Sequence, residues 1–128
     1  MNTENLKLMA DYIETVAQRK FNMRIFRTGQ RTAHECGSVG CVLGHCTVLD
    51  KNPLPMDYIG DINFSAWSLE FTGLYPDSDE WDYLFASDWD AVDNTPKGAT
   101  KRIRYFLLRG LPHNWYEQMK GIEPLSYM

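Results

Sequence analysis

Three cysteines and two histidines, the residue types that bind soft metals or attack carbonyls, cluster as His34, Cys36, Cys41, His45 and Cys46. Thiolate and imidazole are the preferred ligands of tetrahedral zinc, and His34, Cys36, Cys41 and His45 would supply a complete set, with Cys46 to spare. Cys41 and His45 stand four apart, so they share a face if the segment is helical. Against a metal, no two cysteines have the two-residue separation of a zinc knuckle. A chain of 128 residues with 44% hydrophobic content also has enough core to fold without one. The same segment could act as a nucleophile: Cys36 precedes a predicted helix start, where the dipole lowers a thiol pKa, and His34 or His45 could serve as base. No acid or amide that would orient either histidine is identifiable. A third chemistry belongs to Asp88, Asp90 and Asp93, which could hold a hard cation or move protons, but the glycine that a calcium loop needs at its sixth position is absent. Asp93-Asn94-Thr95 reads more simply as a turn followed by a helix cap.

The element that must position the thiols is predicted as a helix from Ser38, its N-cap, to Leu49, closed by Asp50-Lys51-Asn52-Pro53-Leu54-Pro55. Gly40 and Gly44 would lie four apart inside it, at a cost of about 1 kcal/mol each relative to alanine. Close approach of a neighbouring element offsets such a cost. Cys36, Gly37, Ser38, Gly40, Cys41 and Gly44 therefore read as a packing motif in a central helix, with small buried thiols, and no cofactor is expected.

Around that helix, Leu6, Met9, Ile13 and Val16 make one apolar stripe on a first helix, capped by Asn2 or Thr3 and ending near Arg19. Phe21, Met23 and Ile25 then alternate with polar residues in a short extended piece. Trp67, Phe71 and Leu74 mark a helix that stops at Gly73. Asp77 and Glu80 have the spacing of a capping pair for a helix carrying Trp81, Leu84 and Phe85, whose first turn would hold Asp79, Glu80 and Asp82. Thr95 and Pro96 are a cap and first-turn proline, followed by a buried stripe of Ala99, Ile103, Phe106 and Leu107 up to Gly110, with Lys101, Arg102 and Arg104 largely off it. Pro112 introduces a last short helix through Trp115, Tyr116 and Met119, and His113 beside it is expected at the surface. The tail from Gly121 to Met128 is expected to be loosely held.

Charge is unevenly spread although the net value is only −4. Arg19 to Arg31 and Lys97 to Arg109 carry bases and no acid, whereas Asp77 to Asp93 carries seven acids and no base. The acidic run is expected to face a basic one within the fold or across a dimer. Nucleic acid is not an expected partner for a chain of this balance. No apolar run spans a membrane, and Met1 to Asn5 lacks the basic-then-apolar pattern of a signal peptide, so a cytoplasmic protein with free thiols is expected. Most of the four tryptophans and seven tyrosines should be core. If Trp81, Tyr83 and Trp89 are instead exposed beside Asp88 and Asp90, they form an aromatic patch with an acidic rim suited to a basic partner.

Cys36 through His45, Glu80-Trp81-Asp82-Tyr83-Leu84-Phe85, Trp89 through Ala99 and Arg102-Ile103 together resemble a family of small proteins found in tailed bacteriophages and in bacterial genomes that carry prophages. The likeness covers most of the chain from about Phe21 to Leu111 and carries no activity with it. It implies a phage-borne accessory protein acting in a bacterial cytoplasm. We expect a mainly α, compact single domain over residues 1–128, of about five or six helices around a glycine-containing central helix, with one short extended segment. The expected function is non-enzymatic: binding a host protein to modulate host physiology or defence, with Trp81, Tyr83, Asp88, Trp89 and Asp90 facing the partner. A homodimer is compatible with this. The competing class is a zinc or small-ligand binder, or a thiol enzyme, centred on Cys36 to Cys46.

Overall fold

The computed structural model describes residues 1–23, 41–50 and 61–127. Helix α1 spans Thr3–Ile13, and Asn2 caps it by accepting a hydrogen bond from the Asn5 amide at 3.0 Å. Leu6, Met9 and Ile13 are fully buried, as the stripe requires, whereas Val16 lies beyond the helix and only partly buried. The helix stops at Ile13 rather than near Arg19. There the bonding tightens to three-residue spacing, and the Thr15 hydroxyl donates to the Tyr12 carbonyl at 2.7 Å. A short 3₁₀ turn, Gln18–Lys20, leads into extended backbone at Phe21, and Phe21 and Met23 are both buried. Ile25 lies outside the described residues.

Helix α2 covers only Val42–Cys46 and passes into a 3₁₀ turn at Thr47–Leu49. The predicted start after Ser38 is corrected: Cys41 is extended (φ −85°, ψ −172°) and gives its carbonyl to the His45 amide, so Cys41 holds the capping position of the helix. Cys36, Gly37, Ser38 and Gly40 lie outside the described residues.

Helix α3, Asp61–Thr72, buries Trp67 and Phe71 and ends at Gly73, whose φ of +76° suits glycine alone. A helix end leaves carbonyls without partners, and here the start of α1 supplies them. The Asn2 amide donates to the Thr72 carbonyl at 2.7 Å and the Asn5 side chain to the Phe71 carbonyl at 2.8 Å. Helix α4 is Asp79–Phe85. Its cap is Ser78, which accepts from the Trp81 amide at 3.2 Å, so the expected Asp77 cap is displaced by one residue. Asp79, Glu80 and Asp82 do occupy the first turn, where the dipole favours carboxylates. Trp81 then joins α4 to α3 by donating its indole N–H to Ser68 at 2.8 Å.

After a 3₁₀ turn at Ser87–Ala91, helix α5 runs Pro96–Arg109, with Thr95 accepting from the Gly98 amide at 2.9 Å. Helix α6 is Trp115–Met119. The architecture is mainly helical, with no strand among the described residues. It is organised on the long pairing of α1 with α5, to which α2 and α3 pack from the α1 side and α4 from the α5 side. Two expectations are corrected at α5 and the tail. Arg102 is not on the surface but among the most deeply buried side chains, and the tail is tied down through Ser126 and Tyr127.

Candidate functional site

The cysteine segment is built into the core. Cys41 and Cys46 are free thiols and both buried. Burial, and then the neighbouring Cys41, push the Cys46 thiol well above its ordinary pKa, the opposite of what a nucleophile needs. Its sulfur lies 3.9 Å from the Met9 carbonyl. His45 is buried, stacks on Phe21, and sets its Nε2 2.6 Å from the Lys20 carbonyl, so that nitrogen carries the hydrogen and donates. An Nε2 committed to a carbonyl is not a metal ligand. His34 and Cys36, the other two residues of the zinc set, lie outside the described residues. Among the described residues, no three histidine, cysteine or acidic side chains form a metal-sized group.

The aromatic patch does not form. Trp81, Tyr83 and Trp89 are buried: α4 is covered on more than one side, with Trp81 turned to Ser68 of α3 and Tyr83, on another side of the helix, meeting Trp89 edge to face at 5.9 Å. The acids around them stay outside. Asp77 and Asp79 are exposed, and Glu80, Asp82, Asp88 and Asp90 are half-buried. Burial raises the Asp82 pKa above the ordinary value, and the charges of Asp79, Asp88 and Asp77 raise it further. Asp88 is paired with Lys120. Among the described residues, the expected facing of acidic and basic runs is seen in the buried pair of Asp93 with Arg102, whereas Arg104 turns to Asp11 of α1 and to Glu14 just after it.

That one pair anchors the most unusual arrangement in the molecule. Arg102 is fully buried. Its guanidinium carbon lies 4.2 Å over the centre of the Trp89 ring, and its Nη1 donates to the Tyr127 hydroxyl at 2.8 Å. Tyr127 donates in turn to Asp93 Oδ2 at 2.8 Å, and the Thr95 hydroxyl donates to Asp93 Oδ1 at 2.6 Å. Asp93 and Arg102 are therefore 3.8 Å apart, associated largely through the tyrosine. Gly98 explains itself here, since a Cβ on it would stand 2.0 Å from Asp93 Oδ2. Asn94 works on the other side: it accepts from the Met23 amide at 2.7 Å through Oδ1, donates through Nδ2 to Asn22 at 3.1 Å, and takes the Gln18 side chain on its carbonyl. The Asp93-Asn94-Thr95-Pro96-Lys97-Gly98 segment thus ties the tail, the extended segment and the start of α5 together.

Around Arg102 the donors outnumber the acceptors. Arg102 Nε and Nη2, the Tyr83 hydroxyl and Trp89 Nε1 are sealed from solvent with no hydrogen-bond partner among the described residues. Burial lowers the Arg102 pKa, against which Tyr127 and Asp93 act, and burial also raises those of Tyr83 and Tyr127. Sequence reasoning misses Arg102 because a charged side chain is expected off the buried stripe. The available signal was its position, three after Ala99 and four before Phe106, which places it on the buried stripe.

In comparisons with known proteins, no family model matches the chain, and neither a curated protein nor a solved structure is similar to it.

Proposed function

We propose that this chain is a non-enzymatic phage accessory protein that engages a basic surface of a host protein in the bacterial cytoplasm through the acidic face of α4. The aromatic residues first assigned to that face serve instead as its foundation, holding α4 rigidly against α3 and α5. The contact residues are Asp77, Asp79, Glu80 and Asp82, with Asp88 and Asp90 at the edge. One observation carries the reading. The Asp82 carboxyl is half-buried, and burial first and the charges of Asp79, Asp88 and Asp77 next raise its pKa, a repulsion that a cationic partner would relieve. The described thiols and His45, sequestered in packing and hydrogen bonding, add nothing in favour of catalysis. No helix among the described residues is long and apolar enough to cross a membrane.

The test is affinity capture from bacterial lysate at low and high salt, followed by purification of the captured protein and direct measurement of its affinity. A double charge reversal, Asp79→Lys with Asp82→Lys, is expected to weaken binding by about tenfold or more, mostly through the association rate. A captured protein that binds the reversed variant equally well would remove α4 from the interface.

A further inference from the structure

We propose that the unpartnered donors around Arg102 form a binding site for a carboxylate or phosphate group, closed in this structure by the C-terminal strap. A guanidinium has five N–H donors, and its Nε and Nη2 edge is the one that grips an oxyanion bidentately. In this fold that edge is buried and empty-handed, while Nη1 is already engaged by Tyr127. Two further donors share the cluster. Trp89 lies under the guanidinium, and Tyr83 packs against Trp89. A buried donor without an acceptor costs more than a hydrogen bond gains, and an acceptor at the Arg102 Nε and Nη2 edge would relieve two such atoms at once. Asp93 does not meet that need, because its nearest approach is 3.8 Å, to Nη1, and it hydrogen-bonds neither Nε nor Nη2.

The donors have no access to solvent as the chain is folded here, so a ligand must displace a cover. The strap from Ile122 to Tyr127 has the form of one. Ile122, Glu123 and Pro124 are exposed, and the strap is pinned at its far end by two clasps: Ser126 with Gln118, and Tyr127 with Arg102 and Asp93. A surface groove of about 420 Å³ opens at the root of the strap, between Lys120 and Gly121 on one side and Asp88 and Asp90, the neighbours of Trp89, on the other. Releasing the Tyr127 clasp would open the cluster from that side.

Acetate and inorganic phosphate, titrated separately against a chloride reference at matched ionic strength, distinguish the two sources of the oxyanion. The readouts are the Trp89 indole N–H and Arg102 Nε–H resonances of the full chain, the first assigned with Trp89→Phe. Saturable downfield movement of both with one anion class supports the site and names its ligand. Tyr83→Phe, which removes one donor at nearly constant volume, is expected to weaken the response severalfold. Tyr127→Phe, which loosens the strap, is expected to tighten it by about threefold to tenfold, because a larger fraction of molecules is competent to bind. No saturable movement in either the wild type or Tyr127→Phe overturns the site. So does saturation that Tyr83→Phe and Arg102→Lys both leave unchanged, since binding would then lie elsewhere.

Discussion

Helix α2 and the Arg102 cluster are both buried and both rich in heteroatoms, yet they are organised in opposite ways. In α2 the polar atoms are spent on neighbours: His45 Nε2 donates to the Lys20 carbonyl, and the Cys46 sulfur sits near the Met9 carbonyl among apolar side chains. Around Arg102, one carboxylate collects the hydroxyls of two side chains while four donor atoms go without. The first pattern is what a core does with polar groups. In the second, a buried cation is kept at a cost that packing alone does not return. Residue types that favour chemistry therefore mark structure in one place, and an ordinary helix residue marks a site in the other.

The sharpest way to break this contrast is to remove each partner of the buried pair in turn. Asp93→Ala leaves the Arg102 charge uncompensated and unties Thr95 and Tyr127 together, and it is expected to cost about 3–5 kcal/mol, read by denaturant unfolding. Arg102→Met removes the charge and its unpaired donors while keeping most of the volume. It is expected to cost under about 1 kcal/mol or to stabilise. Equal losses for the two would mean that the guanidinium is satisfied in solution. Gly98→Ala tests the same knot through the backbone. Its methyl group must push Asp93 off both hydroxyls, with an expected cost of about 2–3 kcal/mol, where an ordinary exposed glycine in a helix would gain from alanine.

The helical frame was legible because its signals are local. Thr95-Pro96 as cap and first-turn proline, Gly73 and Gly110 as stops, and the stripes of α1, α3 and α5 each follow from a few adjacent residues. The displaced cap of α4 shows the limit of such reading: Asp77 and Ser78 are both good caps, and the turn from Tyr75 chose between them. The Arg102 cluster was illegible for a different reason. Its parts lie at positions 83, 89, 93, 102 and 127, so only tertiary packing brings them together, and the tail in particular carries no local sign that Tyr127 is an anchor.

On the α2 side, Cys46→Ser places a hydroxyl where the thiol acts as a small apolar group, and it is expected to cost about 1–2 kcal/mol, more than Cys46→Ala. The raised Cys46 pKa also predicts that a thiol reagent at mildly alkaline pH leaves Cys46 unmodified until the protein is unfolded. Rapid modification of Cys46 in the folded state would return the segment to the reactive class.

The smallest expected effect belongs to the acidic face and separates it from both buried regions. Burial and the nearby Asp79, Asp88 and Asp77 raise the folded pKa of Asp82 above its ordinary value, so the folded state holds that proton more tightly than the unfolded chain does. Its contribution to stability is therefore present at low pH, where the carboxyl is protonated in both states, and is lost as pH rises through the raised folded value. Asp82→Asn, which mimics the protonated form, should stabilise the protein at neutral pH. Solvent screening at a half-exposed group limits the gain to a few tenths of a kcal/mol, and it should vanish near about pH 3 and shrink with added salt. The same substitution should weaken partner binding, because a carboxylate that strains the free protein is the one a basic surface would neutralise. A variant that gains stability without losing affinity would show that the acidic face is merely solvated.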